Sequence, residues 1–357
     1  MLSSSLEKFI TEKALNLAAY KAEHVSAPVS LHANENPYPP SPELLNELRE
    51  SLEMLELNRY PDPDGHKLKA RLSERLDTAP ENLVLGNGSD ELIQLLMQVF
   101  CNPGDRIAFP DPTFSMYSII ARGLGVEPYP LELNDQWDFE APENFELWKK
   151  ERVKIVFFSY PNNPTGNCFS ADEIQKVLDN FDGIIVLDEA YYDFARKSFI
   201  EKLKEYPNLI LLRSLSKIGL AGFRVGYGIA DPCIISHINK MRLPYNLNSV
   251  SQFMAERLLA RFSTVEDQVN LLLKERERLN TQLMNTEGIT PYPSDSNFIL
   301  FKTAGDGTTL HQRLLSDGVL IRNLIGHPRL KDCLRVTVGT PEQNDQFISF
   351  LTKKVSE

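Results

Sequence analysis

Cysteine and histidine are scarce, at four and six in 357 residues. Cys101, Cys168, Cys233 and Cys333 lie far apart, form no Cys-x-x-Cys pair and have no histidine next to them. That spacing excludes the usual zinc sites and points to reduced, partly buried thiols. Positive charge is also short: 38 Lys and Arg against 49 Asp and Glu leave a net charge of −11. A nucleic-acid partner held by phosphate neutralisation is therefore not expected, although a local basic pocket can still take a small anion. No apolar run reaches the ~20 residues of a membrane span. The first 20 residues mix charged and apolar side chains throughout, unlike a secretory leader, so no membrane association is expected and the expected compartment is the cytoplasm. Internal repeats, low-complexity tracts and a Gly-Lys-Ser/Thr phosphate loop are absent too.

What is present is an ordinary globular balance. With 42% hydrophobic and 24% charged residues, the chain can bury a sizeable core, and its length suits roughly two domains. Residues 1–30 read as an arm with a short helix over 5–18, and 31–40 are too proline-rich for regular structure. Helices are predicted over 41–55, with Pro42 in the first turn, and over 66–76. From Asn82 strands and helices alternate, with strands near 83–85, 106–109, 126–133, 153–159, 184–187 and 209–212 and helices at 92–100 and 113–124. This order predicts an α/β fold, a mainly parallel sheet sandwiched by helices. Beyond Asn246 the pattern turns helical over 251–284 and then gives short strands near 296–301, 319–322 and 333–338, a helix near 308–316 and a terminal helix after Pro341. The expected organisation is a large domain over 37–244, and a smaller α+β domain formed by the arm, 1–36, with 245–357.

Chemistry gathers at the ends of the strands, where sites in such sheets lie. The run 209–212 breaks into Ser214, Ser216 and Lys217, and a glycine-rich turn leads to Arg224. Hydroxyls and a guanidinium suit a phosphate, and an amine beside them suits a cofactor carrying both a phosphate and an aldehyde. Pyridoxal phosphate is such a cofactor, and proteins hold it through a lysine. Alone, Lys217 reads first as a solvated loop lysine, and the rest of the chain has to overturn that reading. Gly88-Ser89-Asp90 ends a strand and opens a helix, a place that favours a phosphate, although taken alone it reads sooner as a plain N-cap. Asn163 sits in a Pro-Asn-Asn-Pro-Thr-Gly turn that turn chemistry alone could explain. Asp188 closes an apolar run, where a carboxylate needs a positive partner, and a protonated pyridine nitrogen would be one. Tyr191, three residues on, could reach a phenolate oxygen of the same ring. Four such motifs at four successive strand ends are hard to explain by separate structural roles.

Motifs in order, Asn34-Glu35-Asn36-Pro37-Tyr38, Arg59-Tyr60-Pro61-Asp62, Gly88-Ser89-Asp90-Glu91, Pro161-Asn162-Asn163-Pro164-Thr165-Gly166, Asp188-Glu189-Ala190-Tyr191, Ser214-Leu215-Ser216-Lys217 and Ala221-Gly222-Phe223-Arg224-Val225-Gly226, resemble those of fold-type I pyridoxal-phosphate enzymes. The resemblance spans essentially the whole chain and lies within the aspartate aminotransferase superfamily, nearest the histidinol-phosphate aminotransferases. It implies that Lys217 holds the cofactor's aldehyde and shuttles the proton, that Asp188 pairs with the ring nitrogen, and that Asn163 and Tyr191 bond the phenolic oxygen. Ser89 and Asp90, through backbone amides, with Ser214, Ser216 and Arg224 would hold the phosphate, with Tyr60 reaching it from the neighbouring subunit of a homodimer. Phe114 would stack on the ring where relatives often have tyrosine, which loses a hydroxyl and keeps the face. Pro39-Pro40, where a glycine is commoner, is a second departure.

For the substrate, the resemblance implies Tyr20, Asn34, Arg322 and Arg335. Two guanidiniums suit a dianionic phosphate and also the carboxylates of glutamate; alone they read as surface arginines. The implied reaction transfers an amino group between L-histidinol phosphate and 2-oxoglutarate in ping-pong fashion. An aromatic or broad amino-acid aminotransferase and a threonine-phosphate decarboxylase are the rival enzymes. A non-catalytic regulator of this fold would carry a basic helix-turn-helix, which neither the charge nor the sequence before Asn34 suggests.

Overall fold

The computed structural model describes residues 6–17, 19, 25–53 and 55–355. Among the described residues twelve strands run in chain order: β1 (Val29–Leu31), β2 (Leu83–Asn87), β3 (Arg106–Asp111), β4 (Glu127–Glu132), β5 (Val153–Ser159), β6 (Ile184–Asp188), β7 (Leu209–Ser214), β8 (Val225–Ile229), β9 (Ile289–Pro291), β10 (Phe298–Thr303), β11 (Val319–Asn323) and β12 (Cys333–Thr337). Seven form one sheet in the order β2-β8-β7-β6-β5-β3-β4. Strand β8 is antiparallel to both its neighbours, and every other pair is parallel.

The parallel core follows from its sequence. Strands such as β6 (Ile-Ile-Val-Leu-Asp) and β7 (Leu-Ile-Leu-Leu-Arg-Ser) are apolar almost throughout, as a sheet covered on both faces requires. Alternate residues feed two separate cores. Ile107, Phe109, Ile155, Phe157, Val186, Ile210 and Leu212 pack in one with the helices Gly88–Phe100, Met116–Leu124 and Pro232–Met241. Ala108, Val156, Phe158, Ile185, Leu187, Leu209 and Leu211 join the other, with the helices Ala171–Asn180 and Ser249–Ala260 and the second sheet. Arg213 in β7 is buried, and Glu189 answers its charge through a 2.8 Å ion pair while the Tyr192 ring lies 3.6 Å away.

The second sheet has the order β1-β11-β12-β10-β9. Its edge strand β1 comes from the N-terminal stretch and pairs in parallel with β11, Val29 to Val319 through Leu31 to Ile321. Helix Gly307–Ser316 and the terminal helix Pro341–Val355 pack on each other.

Several elements differ from the sequence expectation. The helix predicted over 41–55 is Pro42–Leu52, capped by Ser41, whose hydroxyl accepts from the Leu44 N–H. The helix expected from Leu92 already begins at Gly88. The segment 251–284 is two helices, Ser249–Ala260 and Phe262–Met284, broken at Arg261, whose guanidinium is clamped by both oxygens of Glu47. In the arm, a single helix is replaced by a 3₁₀ turn, Glu7–Phe9, and one helical turn, Glu12–Leu15; neither buries a residue, so packing does not extend them. Helices Ala171–Asn180 and Pro232–Met241 were not expected; each opens on a side-chain cap, Ser170 and Asp231.

Candidate active site

Because β8 reverses direction twice over, β2 runs the same way as β3 to β7. The carboxyl ends of β2, β3, β5, β6 and β7 and the start of β8 therefore share one edge of the sheet. There the two sheets enclose a cavity of about 820 Å³. Asn34, Ser89, Asp90, Phe114, Asn163, Asp188, Tyr191, Ser214, Ser216, Lys217, Arg224, Arg322 and Arg335 all line it.

One end of the cavity is rich in hydrogen-bond donors. Ser89 and Asp90 lie in the first turn of the helix Gly88–Phe100, whose leading N–H groups have no partner within the helix. Arg224, at φ 54°, donates to Ser216 Oγ at 3.3 Å and to Asp90 Oδ2 at 3.1 Å. The Ser216 N–H donates to Ser214 Oγ at 3.1 Å. Two glycines let these parts close together. A Cβ on Gly226 would stand 2.5 Å from Gly88 C and Ser89 N, and one on Gly88 would stand 2.4 Å from Arg224 Nη2. Two hydroxyls, a helix N-terminus and a guanidinium form a site suited to a phosphate.

Asp188, 3% exposed, ends β6 at the floor. Its Oδ2 accepts from the Tyr117 hydroxyl at 2.9 Å and its Oδ1 from the Ala190 N–H at 3.2 Å. Burial pushes its carboxyl up to about 6, against the lowering effects of Tyr117, the Ala190 N–H and Lys217. Such a carboxylate, facing a cavity without a full counter-charge, suits a cationic ligand group. Lys217 sits in the 3₁₀ turn after β7, its Nζ 5.7 Å from the centre of the Tyr191 ring.

Asn34 does more than line the wall. Its Nδ2 donates to the Tyr191 hydroxyl at 2.9 Å, and Asn34 is itself locked at φ 56° by Thr337 and Asn297. Phe114 stands edge-on to Tyr117, ring centres 5.6 Å apart. Arg322 and Arg335 face each other across β11 and β12. Arg335 donates to Asn163 Oδ1 and, at 2.7 Å, to the His32 carbonyl.

One predicted residue falls elsewhere. Tyr60 does not line its own chain's cavity; it is 80% exposed and stacks on Tyr245 with ring centres 4.5 Å apart. Tyr20 lies outside the described residues. The sequence reading also missed residues. Tyr117 is one, and the pair His327 and Asp111 is another, with Nε2 and Oδ2 2.8 Å apart on the cavity wall. Tyr117 stands in an amphipathic helix where a tyrosine reads as core, and His327 stands in a loop, so neither carried a motif. Among the described residues no group of three or more His, Cys, Asp or Glu could hold a metal ion, and no helix is long and apolar enough to cross a membrane.

Residues 27–351 match the family model of class I and II aminotransferases. The chain is 40% identical over 355 residues to histidinol-phosphate aminotransferase 2 of Nitrosococcus oceani, covering 98% of each. It is 40% identical over 347 residues to the histidinol-phosphate aminotransferase of Aquifex aeolicus, covering 97% of this chain and 98% of the relative. In fold it is similar to the crystal structure of histidinol-phosphate aminotransferase from Sinorhizobium meliloti in complex with pyridoxal-5'-phosphate, with a TM-score of 0.88 at 23% identity over 97% of each chain. Matched along nearly its whole length, the chain belongs to the class I and II aminotransferase family, among the histidinol-phosphate aminotransferases.

Proposed function

We propose that this chain moves the amino group of L-histidinol phosphate to 2-oxoglutarate, giving imidazole acetol phosphate and L-glutamate, with pyridoxal 5'-phosphate as cofactor. The observation that carries this is three different chemistries around one cavity: the donor cluster at Ser89 and Arg224, the amine of Lys217, and the buried carboxylate of Asp188. They suit the phosphate, the aldehyde and the ring nitrogen of that cofactor, and the close approach at Gly88 and Gly226 leaves the donor cluster unobstructed. Ser89, Asp90, Ser214, Ser216 and Arg224 would hold the phosphate, Phe114 the ring face, and Asn163 and Tyr191 the phenolic oxygen. With its Oδ1 taken by Arg335, Asn163 presents its N–H₂ end as the donor.

When bound, the cofactor supplies an electron-withdrawing ring that acidifies the hydrogen on the substrate's α carbon. Lys217 Nζ is the base that takes this proton and the acid that returns it. Asp188 holds the proton on the ring nitrogen. Arg322 and Arg335 hold the substrate phosphate in one half-reaction and the carboxylates of the keto acid in the other, with Asn34 and Tyr20 as further substrate contacts. Tyr60, which does not line its own chain's cavity, would reach the site of a second copy, so the working unit would be a homodimer, with the cytoplasm as its compartment. Each subunit then divides into a large unit, 37–244, and a small one, 1–36 with 245–357.

The test is a visible spectrum of the cofactor-loaded protein during addition of L-histidinol phosphate without keto acid. Bleaching of the yellow band at low substrate supports the reading. A band that ignores histidinol phosphate and answers phenylalanine would move the substrate to the aromatic class, and release of CO₂ from threonine phosphate would make the chain a decarboxylase. No band with added pyridoxal 5'-phosphate would overturn the cofactor itself.

A further inference from the structure

Tyr117 reaches Asp188 from behind. It is fully buried, it does not line the cavity, and its hydroxyl donates to Asp188 Oδ2 at 2.9 Å while Asp188 faces the cavity. Its ring is fixed by the Phe157 ring stacked at 4.9 Å, by Phe109 at 6.2 Å and by the edge-on Phe114 at 5.6 Å. With so many aromatic neighbours the phenol has little freedom, and its proton is directed at one carboxylate oxygen. A hydrogen bond from a neutral donor to an ionised acceptor favours the ionised form. Burial and the charge of Asp188 also keep the phenol protonated far above neutral pH, so it remains a donor over the working range.

We propose that Tyr117 is a positioning residue for transamination: its hydroxyl keeps the Asp188 carboxylate ionised and aimed into the cavity, and so sets how firmly the ring nitrogen holds its proton. This rests on the cofactor reading above. The other groups acting on Asp188 are Lys217 after β7, which favours its ionised form, and Asp90 at the helix start, which opposes it; the Ala190 N–H is the second donor. Tyr191 and the Ser159 hydroxyl neighbour Tyr117 itself. None of these replaces the Oδ2 bond. The same ring carries the edge of Phe114, so one side chain supports both the floor of the site and the wall proposed to cover the ring face.

The experiment is a pH titration of the visible band of the pyridoxal 5'-phosphate-loaded protein, without substrate, for wild type and Tyr117→Phe. The substitution removes the donor and keeps the ring. With Asp188 less firmly ionised, the ring carries less positive charge and repels the proton at Lys217 Nζ less. The midpoint therefore moves to higher pH, by up to about one unit or about tenfold in proton affinity, and kcat falls more than KM changes. In an Asp188→Asn background, Tyr117→Phe produces no further shift. A loaded variant with the wild-type midpoint would overturn the proposal and leave the cofactor reading standing, even if its thermal stability changed. A wild type that takes up no cofactor would overturn both. A second measurement needs no folded Tyr117 variant: isotope-edited infrared spectra of the loaded wild type, assigned with Asp188→Asn. An ionised carboxylate stretch is expected at neutral pH; a protonated Asp188 there would overturn the proposal.

Discussion

At the scale of single residues, Asp188 couples stability to function. Without a cationic ligand its carboxyl is held up to about 6 by burial, whereas in the unfolded chain it titrates near 3.9. The folded state therefore binds the proton more tightly than the unfolded state. The contribution of this one group to stability is greatest below about pH 4 and declines as pH rises to about 6, after which it is constant. Asp188→Asn removes the penalty. The cofactor-free variant should be more stable than wild type by roughly 2–3 kcal/mol at pH 7 and nearly equal at pH 4, read from denaturant unfolding at both. The variant should lose turnover all the same, since an amide cannot balance a charged ring nitrogen. Lys217→Ala should reduce turnover by at least about a thousandfold while cofactor still binds without a covalent link. Mass spectrometry after borohydride reduction reads this directly: wild type gains the cofactor less the oxygen lost in condensation and reduction, and the variant gains nothing. Asp188 was legible in the sequence because it breaks an apolar run at a strand end, and Lys217 because it follows such a run with two serines and a glycine-rich turn around it. Tyr117 was not. A tyrosine on the buried side of a helix satisfies the helical pattern completely, and only the fold reveals which acceptor its hydroxyl meets. Asn34 was half legible, its motif being plain while its bond to Tyr191 spans 157 positions.

At the scale of elements, what matters is how closely β8 can approach the helix that follows β2. Gly226 pairs with Gly86 across the sheet, and a Cβ there would meet the backbone of Gly88 and Ser89 at 2.5 Å. Backbone cannot swing aside as a long side chain can, so Gly226→Ala has to push the helix start away from Ser216 and Arg224. We expect at least a tenfold loss of cofactor affinity in equilibrium dialysis and a stability loss of roughly 1–3 kcal/mol. Near-normal affinity would mean that the helix start is not part of the phosphate site. The parallel sheet itself was legible, because a run of apolar strands alternating with helices has few other solutions. The break at Arg261 was not, since an amphipathic pattern that continues through a kink looks like one helix; the Glu47 clamp that fixes the kink comes from 214 positions away. The pairing of β1 with β11 was hidden for a different reason, three residues being too short a run to announce a strand.

At the scale of the whole molecule, the question is where Tyr60 acts. Its loop is not loose: Arg242 donates to the Pro63 carbonyl at 2.9 Å and pairs with Asp64, and Gln252 donates to the Asp62 carbonyl at 2.9 Å. The protein thus holds in place a tyrosine that is 80% exposed, three positions after Leu57 at 59% and stacked on Tyr245, itself two positions after Leu243 at 73%. Ordered, exposed apolar side chains of this size suit a surface that another copy covers. If Tyr60 completes a neighbour's site, two inactive variants can rescue each other. In a hybrid of Lys217→Ala with Tyr60→Ala, one site has both lesions and the other combines an intact Lys217 with an intact Tyr60 from the opposite chain. Random reassortment makes half the dimers hybrid, so an equal mixture should recover about a quarter of wild-type activity when subunits exchange freely. If Tyr60 served its own chain, every hybrid would contain one lesion per site. Mixing and subunit exchange, followed by an activity assay, would then return no more than the average of the two parents, and the shared site would have to be abandoned.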